Sequence, residues 1–180
     1  MVDEATLVPT ENGLVPQGEG WFVVNARETR WFENEEFGSY CRFEGDVRFP
    51  ELGINVSVLA PGQPACMYHG EDVQEDFLVL SGECLLLVEG AERHLRAWDF
   101  VHCPPWTEHV IVGAGDGPCF VLSVGVRRPD DEVRYTVAEV AQKHGAGVLE
   151  ETDSPAKAYA RFSDPVARPY RDGDLPAGES

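Results

Sequence analysis

The residues with the clearest capacity for chemistry are two histidines and two glutamates: His69, Glu71, Glu75 and His109. His69 and Glu71 are separated by one residue, so in an extended strand their side chains share a face. Glu75 has the same phase as Phe77, which is a core-forming residue type, and we expect that phase to carry the Glu75 carboxylate inward. A buried carboxylate is costly unless it is paired, protonated or bound to a cation.

A hairpin between these two strands would place Glu75 beside His69. The second histidine, His109, follows a proline-rich turn that begins after Cys103, and it opens an apolar strand. Two imidazoles with one or two carboxylates on neighbouring strands form a site for a divalent transition metal. Two plainer interpretations stay open: His69 as a hydrogen-bonded core histidine, and Glu71 as a solvated turn residue.

The elements that must position these residues are short strands. Between Trp21 and Val126, apolar or alternating runs are separated by Pro-Gly, Ser-Gly, Glu-Gly and Pro-Pro turn signals. Such spacing predicts an all-β antiparallel sandwich or barrel. The runs are Trp21–Val24, Ser39–Phe43, Ile54–Leu59, Phe77–Leu80, Cys84–Val88, Phe100–Cys103, His109–Val112 and Cys119–Val124. The glycine-rich stretch that begins at Gly113 is interpreted as a hairpin turn.

The rest of the chain divides around this barrel. We predict an extended N-terminal arm over 1–20, the barrel over 21–126, a linker with a short helix over 127–148, and an extended polar C-terminal tail over 149–180. The helix is indicated by a capping box at Thr136 and Glu139, with Gly145 at its end.

Two stretches resemble the motifs of the cupin superfamily. The stretch from Gly62 through His69 and Glu75 to Gly82 is similar to the first cupin motif, with one residue more than the pattern between Gly62 and His69. The stretch over 97–109 resembles the second motif, with an aspartate before a strand, a proline turn and a ligand histidine. The resemblance implies a double-stranded β-helix, or jelly-roll barrel, with its site inside the barrel.

The resemblance also implies a ligand set. The family pattern binds one metal ion through three histidines and one glutamate, and His69, Glu75 and His109 match three of these positions. Glu71 stands where the pattern has its second histidine. Three alternatives stay open: a harder fourth ligand, a general base beside the ion, or an outward-facing residue at a weak or empty site. The expected cofactor is one divalent ion of Fe, Zn, Mn or Ni, with open positions for a substrate.

Cupins resembling this arrangement include dioxygenases, isomerases, epimerases and decarboxylases that act on small organic acids or sugars. We therefore expect a small-molecule enzyme, an oxidoreductase in preference to an isomerase. The alternative is a non-catalytic cupin that binds a small molecule, or a structural one with a degenerate site. Trp106 at the pocket mouth and Tyr40 and Arg42 on an early strand are the expected substrate contacts.

Composition restricts the partners. The 180 residues carry a net charge of −18, which repels phosphate backbones and anionic lipid surfaces, so nucleic acid and membrane are not expected partners. The N-terminus lacks a basic start and an apolar stretch, which predicts a cytoplasmic protein. A homodimer is expected because four apolar residues of the arm have no obvious place in a closed barrel: Leu7, Val8, Leu14 and Val15.

Two further residues receive predictions from strand phase. Cys66 lies three residues before His69, and alternation places it on the opposite face, as a buried structural thiol. His102 alternates with its apolar neighbours in a strand, so we expect it to be packed or to point outward rather than to be a ligand. The five cysteines are expected to be reduced thiols.

Overall fold

Short antiparallel strands are the main regular elements of the computed structural model, which describes residues 1–176. The strands are β1 (Thr6–Thr10), β2 (Gly13–Gln17), β3 (Trp31–Asn34), β4 (Gly38–Arg42), β5 (Leu52–Leu59), β6 (Gly70–Glu71), β7 (Glu75–Ser81), β8 (Glu83–Val88), β9 (Ala91–Arg96), β10 (Phe100–Cys103), β11 (His109–Ala114), β12 (Cys119–Val126), β13 (Val133–Arg134) and β14 (Val166–Arg168). The helices are α1 (Glu139–Lys143) and α2 (Pro155–Ala158). Neither helix in this described part of the chain has the length or apolar character to cross a bilayer.

Two sheets form the barrel. The larger has the strand order β10-β7-β12-β5-β4-β3-β14, and the smaller has the order β11-β8-β9. Inward side chains of both sheets meet in one apolar core, where Leu59 and Val79 of the larger sheet pack with Leu86 and Ile111 of the smaller. The all-β jelly-roll prediction is therefore confirmed. The predicted runs coincide with strands except Trp21–Val24, where only Trp21 forms a single bridge, to Glu4.

The N-terminal arm is a hairpin rather than an extended segment. Strands β1 and β2 pair with each other, and the Leu14 amide donates to the Glu28 carbonyl at 2.7 Å. Val15 is buried, and Leu7, Val8 and Leu14 are half-buried, all against the same chain. The apolar residues that led us to expect a dimer thus pack within one protomer. They no longer support a dimer, and the homodimer stays a prediction.

The glycine-rich turn after Ala114 joins the two sheets and is not a hairpin. Strand β11 pairs with β8, whereas β12 pairs with β5 and β7. The hairpin predicted here was wrong because a jelly roll passes the chain from one sheet to the other at such turns. Gly113 and Gly115 allow this passage: a Cβ on Gly113 would lie 2.2 Å from the Ala60 carbonyl oxygen, and Gly115 has a φ of 72°.

The C-terminal helix is shorter than its predicted capping box implied. Helix α1 begins after Ala138, which makes no side-chain cap, and the Thr136 hydroxyl is buried without a hydrogen-bond partner in the described structure. The capping box at Thr136 and Glu139 was therefore wrong. Gly145 does follow the helix with a φ of 72°, as a helix-ending residue should.

The predicted polar tail is largely structured. Strand β14 adds to the edge of β3, and the helix α2 is followed by Tyr159 and Phe162, whose rings pack against Phe37 at centroid distances of 5.4 and 4.7 Å. A few aromatic residues within a polar stretch are enough to fix this segment, because the β3 edge and Phe37 offer them partners. The last part of the predicted tail, 177–180, lies outside the described residues.

Candidate metal centre

The two histidines are neighbours on adjoining segments of the barrel. His69 and His109 form an isolated antiparallel bridge, in which the His109 amide donates to the His69 carbonyl at 2.8 Å and the reverse hydrogen bond spans 3.2 Å. Their imidazole centroids lie 5.3 Å apart. The backbone therefore fixes the spacing of the two rings before any side-chain contact is counted.

Glu75 joins them from the start of β7. Its Oε2 lies 3.1 Å from His109 Nε2 and 3.7 Å from His69 Nε2. The inward phase expected from Phe77 is observed. The expected hairpin is not, since Glu71 lies in β6, which pairs with β13, whereas β7 pairs with β10 and β12. The sequence thus predicted the right neighbours through the wrong strand pairing.

Backbone carbonyls orient both imidazoles. His69 Nδ1 lies 2.7 Å from the Met67 carbonyl oxygen, and His109 Nδ1 lies 2.9 Å from the Thr107 carbonyl oxygen. A carbonyl only accepts, so each Nδ1 carries the proton and donates it. Each Nε2 is thereby turned toward Glu75 with its lone pair available in the neutral ring, which is the usual arrangement of a metal-binding histidine.

In the absence of a metal, the cluster favours protonated imidazoles. Burial alone would lower the pKa of His109, but the Cys103 side chain and the Glu75 carboxylate outweigh it and raise that pKa to about 10. Burial also opposes protonation of His69, and Cys66, Glu71 and Glu75 together raise its pKa well above the ordinary value. Burial would raise the pKa of Glu75, but the two histidines hold it below its usual range. Positive charge at the position of the Nε2 atoms is therefore strongly favoured.

The donor set fits a divalent transition metal. Ligand atoms of His69, Glu75 and His109 lie within 4.8 Å of one another. Glu75 Oε2 is buried and has no hydrogen-bond partner within the described part of the chain, although His109 Nε2 is only 3.1 Å away. A buried carboxylate oxygen in this state requires a cation or a strong donor. Two imidazole nitrogens and one carboxylate oxygen provide the ligand types that Fe, Zn, Mn and Ni accept.

Glu71 lies at the edge of this set. Its Oε1 is 3.4 Å from His69 Nε2, and its side chain keeps 29% exposure. Glu71 is not among the residues whose ligand atoms lie within 4.8 Å of one another. It faces the cavity, as the strand phase predicted, at a distance from which it can take a proton or approach an ion.

The site opens into a cavity of about 290 Å³. One wall carries neutral hydrogen-bonding side chains from β5 and β12, and another carries tyrosines from the segments after the barrel; these residues are Asn55, Ser57, Ser123, Tyr135 and Tyr159. None of them was predicted to belong to the site. The inward phase of Asn55 and Ser57, opposite to Ile54 and Val56, was a usable signal. No sequence pattern indicated Tyr159, which lies 90 residues after His69.

Comparison with known proteins agrees with this architecture. A protein-family model described as Cupin domain matches residues 55–125, the stretch that contains His69, Glu71, Glu75 and His109. Residues 55–125 of the chain are a cupin domain. No curated protein matches it.

Several solved structures resemble this cupin over part of its length. A proposed sugar phosphate isomerase from Acidithiobacillus ferrooxidans is 29% identical with a TM-score of 0.45, over 46% of this chain and 55% of the other, so the match spans little more than half of that protein. A sugar phosphate isomerase of the cupin superfamily from Silicibacter pomeroyi is 23% identical with a TM-score of 0.49, over 62% and 80%. A polyketide cyclase from Streptomyces resistomycificus is 15% identical with a TM-score of 0.45, over 55% and 71%.

Cys66 is not on the face predicted for it. Its sulfur lies 3.8 Å from His69 Nδ1, and the residue lines the cupin cavity. Alternation failed because the segment before His69 is not a regular strand. His102, in contrast, is outward-facing and exposed, as expected, and all five cysteines are free thiols.

The three expected substrate contacts lie away from the metal-centre cavity. Trp106 has a φ of 69° and lines a separate outer pocket, where the Arg134 guanidinium lies 5.2 Å from its ring centroid. Tyr40 lines a second cavity that adjoins the first, and Arg42 lies 5.9 Å from the Tyr40 ring without lining either cavity. Their roles as substrate contacts remain predictions.

Proposed function

We propose that this cupin is a metal-dependent enzyme that acts on a small organic molecule, an oxidoreductase in preference to an isomerase or epimerase. The observation that carries the proposal is the state of Glu75, whose buried Oε2 faces two Nε2 atoms and has no hydrogen-bond partner in the described chain. His69, Glu75 and His109 would hold one divalent ion of Fe, Zn, Mn or Ni.

The preference for an oxidoreductase follows from the donor set. Two histidines and one carboxylate with open positions are the ligand pattern of non-haem iron oxygenases. A metal held by these residues supplies Lewis acidity and, in the case of Fe(II), a centre that can take up dioxygen. The choice between reactions stays a proposal because fold and ligands are shared by several chemistries.

The protein's own contribution is to orient groups and to move a proton. The carbonyls of Met67 and Thr107 hold the two imidazole rings in the orientation described above. The rings therefore need not rotate when a ligand binds. Glu71 lies in the cavity wall at 3.4 Å from His69 Nε2, where its carboxylate can accept a proton from a bound substrate. Burial raises the pKa of Tyr135, so its hydroxyl keeps its proton and serves as a hydrogen-bond donor in the cavity.

A second candidate function is a non-catalytic cupin that binds a small molecule around an ion-paired cluster. The raised histidine pKa values favour it, because two imidazolium ions would neutralise Glu75 and Glu71 without a metal. Glu71 in place of a histidine ligand is the sequence feature that supports this alternative.

Elemental analysis separates the two functions. Protein purified without a chelator or a histidine tag should contain about one equivalent of transition metal, and His69→Ala should remove it. With Fe(II) present, oxygen consumption is then measured with panels of small organic acids, sugars and thiols. A folded protein that takes up no metal even after soaking would contradict the enzyme and support the binding protein.

We also propose that the cupin forms a homodimer. The apolar residues exposed on the sheet surface, such as Phe100 and Trp98, support this proposal now that the N-terminal hairpin is accounted for. Light scattering at micromolar concentration should give about twice the mass of 19.9 kDa, and a monomeric mass would contradict it.

A further inference from the structure

The metal centre lies beside a second cavity. The cavity around His69 and a second cavity of about 320 Å³ share four lining residues, namely Asn55, Ser57, Ala65 and Tyr159. Shared lining residues place the two cavities side by side, so these side chains lie between them. We call the chamber that contains His69 the metal chamber, the other the aromatic chamber, and the two together the cleft. A molecule larger than either chamber alone would span both by passing these side chains, of which Ser57 and Ala65 are small.

The aromatic chamber has fixed, flat walls. Phe37, Tyr40, Tyr159 and Phe162 line it, and the rings of Phe37 and Phe162 meet edge to face at 4.7 Å between centroids. The Tyr159 hydroxyl accepts a hydrogen bond from the Met67 amide at 3.0 Å, which holds its ring against the shared wall. Aromatic walls in fixed positions favour a planar or apolar group.

The rim of the aromatic chamber is equally well fixed. The Asn34 amide donates to the Ser163 carbonyl at 2.6 Å, which ties the C-terminal segment to strand β3. Asn34 and Ser163 both line the chamber. The segment that carries Phe162 is therefore held by two interactions, this hydrogen bond at the rim and the packing of the Phe162 ring on Phe37.

The cleft has no cation to spare for an anionic ligand. Among the residues that the structure describes, no lysine or arginine lines either chamber, the two imidazoles already face Glu71 and Glu75, and Asp164 lines the aromatic chamber. Arg42 is on the same strand as Tyr40, but its guanidinium lies over the Phe32 ring at 4.6 Å and outside both chambers. A buried phosphate needs paired cations, because desolvation of an unpaired anion is costly.

We propose that the cleft binds an uncharged organic molecule, with a hydrogen-bonding end at the metal centre and a planar apolar part in the aromatic chamber, and that it selects against phosphorylated compounds. This inference rests on the proposed function for the position of the reacting end. Asn55 and Ser57 on the shared wall provide the neutral hydrogen bonds that such a molecule needs between its two ends.

The test compares two probes of similar size that differ in charge. Benzyl alcohol and phenyl phosphate are titrated separately by ligand-observed NMR against Zn²⁺-loaded protein and against EDTA-treated protein. Benzyl alcohol should bind with a Kd on the order of millimolar, as expected for so small a ligand, and phenyl phosphate should bind at least about tenfold more weakly to the EDTA-treated form. Phosphate can coordinate zinc in the loaded protein. The EDTA-treated protein contains no zinc, so binding to it measures the effect of the cleft's own charge.

A pair of matched variants locates the binding. Phe162→Ala should weaken benzyl alcohol binding about tenfold while leaving Zn²⁺ affinity unchanged. Leu149→Ala, which also truncates an apolar side chain but at an exposed residue that lines neither chamber, should change neither. Thermal unfolding of both variants checks that they fold, and the comparison of the two probes on the unmodified protein needs no variant.

The outcomes separate this inference from the proposed function. Phenyl phosphate binding to the EDTA-treated protein as tightly as benzyl alcohol, or no detectable benzyl alcohol binding, overturns the inference even if zinc binds stoichiometrically. A protein that binds no metal but still prefers benzyl alcohol to phenyl phosphate, with the preference lost in Phe162→Ala, overturns the metal centre and supports the neutral cleft.

Discussion

Strand β7 carries two histidine–carboxylate contacts on its opposite faces. Glu75 points inward, where its Oε2 lies 3.1 Å from His109 Nε2 and the His109 side chain is 4% exposed. The next residue, Asp76, points outward, where its Oδ1 lies 2.7 Å from Nδ1 of His102, whose side chain is 52% exposed. The residue types are nearly the same, and strand alternation alone separates the two contacts.

The surroundings decide what each contact can do. The outer carboxylate also accepts a hydrogen bond from Gln74 and is open to water, so it is fully satisfied. The inner carboxylate has an unsatisfied oxygen, two imidazoles and a cavity beside it. We base the proposed metal binding on burial and on the convergence of a third candidate ligand at the inner contact. The shorter distance of the outer contact does not indicate a metal site.

The largest expected difference between the two contacts is in metal content. His109→Ala should lose stoichiometric metal, with affinity lowered at least about 100-fold, because one of only three close ligands is removed. His102→Ala should retain the full equivalent. Elemental analysis and competition with a chelating dye measure both. Retention of metal in His109→Ala would show that the ion is held elsewhere.

Stability should differ in the same direction. In EDTA-treated protein at pH 7, His109→Ala should lower the free energy of unfolding by about 3 kcal/mol, since it removes a partner of a buried carboxylate. His102→Ala should change it by less than about 1 kcal/mol, as is usual for exposed pairs. Urea unfolding followed by tryptophan fluorescence provides both values. Equal losses for the two variants would mean that the inner contact is as well hydrated as the outer one.

Metal affinity should rise with pH. Because the pKa of His109 is raised to about 10 in the metal-free cluster, a metal must displace a proton at neutral pH. Affinity should therefore increase about tenfold per pH unit for each displaced proton between pH 6 and 8. Calorimetry in buffers of different ionisation enthalpy counts the protons released. A flat affinity over this range would contradict the raised pKa.

The stability of the metal-free protein should have the opposite pH dependence. Protonated His109 stabilises the folded state because its pKa is higher there than the ordinary value of 6.5. This contribution is complete below pH 6.5 and is lost as the pH rises toward about 10. Unfolding free energies of the unmodified protein and of His109→Ala, both with EDTA, should thus converge at high pH. A difference in unfolding free energy that stays constant with pH would show that His109→Ala destabilises the protein through lost packing and not through lost charge.

The smallest expected effect concerns Glu71, the nearest carboxylate outside the close set. Glu71→Gln should lower metal affinity by no more than about tenfold, and Glu71→His should raise it, because a nitrogen ligand suits these metals better. Glu51→Gln, at an exposed residue, is the control. A loss in Glu71→Gln as large as that in His109→Ala would make Glu71 a full ligand.

The barrel and the inner contact were predictable from local signals. Residues such as Phe77 and Val79 mark the inner phase of β7, and the same phase places Glu75 beside the histidines. Strand pairing was less predictable, since a hairpin and a jelly-roll crossing use the same turn residues. Strand β9 was missed because its charged sequence, Ala91–Arg96, matches an exposed sheet edge and lacks the β-branched residues that mark a strand.

The rest of the site depended on contacts distant in sequence. Cys66 enters the cavity because the chain before His69 departs from a strand, which alternation cannot reveal. Tyr159 and Phe162 lie in a stretch of polar composition, and only the position of Phe37 on the barrel gives them a partner. Long-range packing of this kind leaves no local signal in a single sequence.

The two chambers of the cleft come from different parts of the chain. The proposed metal ligands all lie within 55–125, the stretch that matches the cupin domain model, whereas Phe37, Tyr40 and Phe162 lie on either side of it. Substitutions in these flanking segments can remodel one chamber without displacing a metal ligand. Substrate preference can therefore change through the flanking segments while residues 55–125 stay similar between relatives.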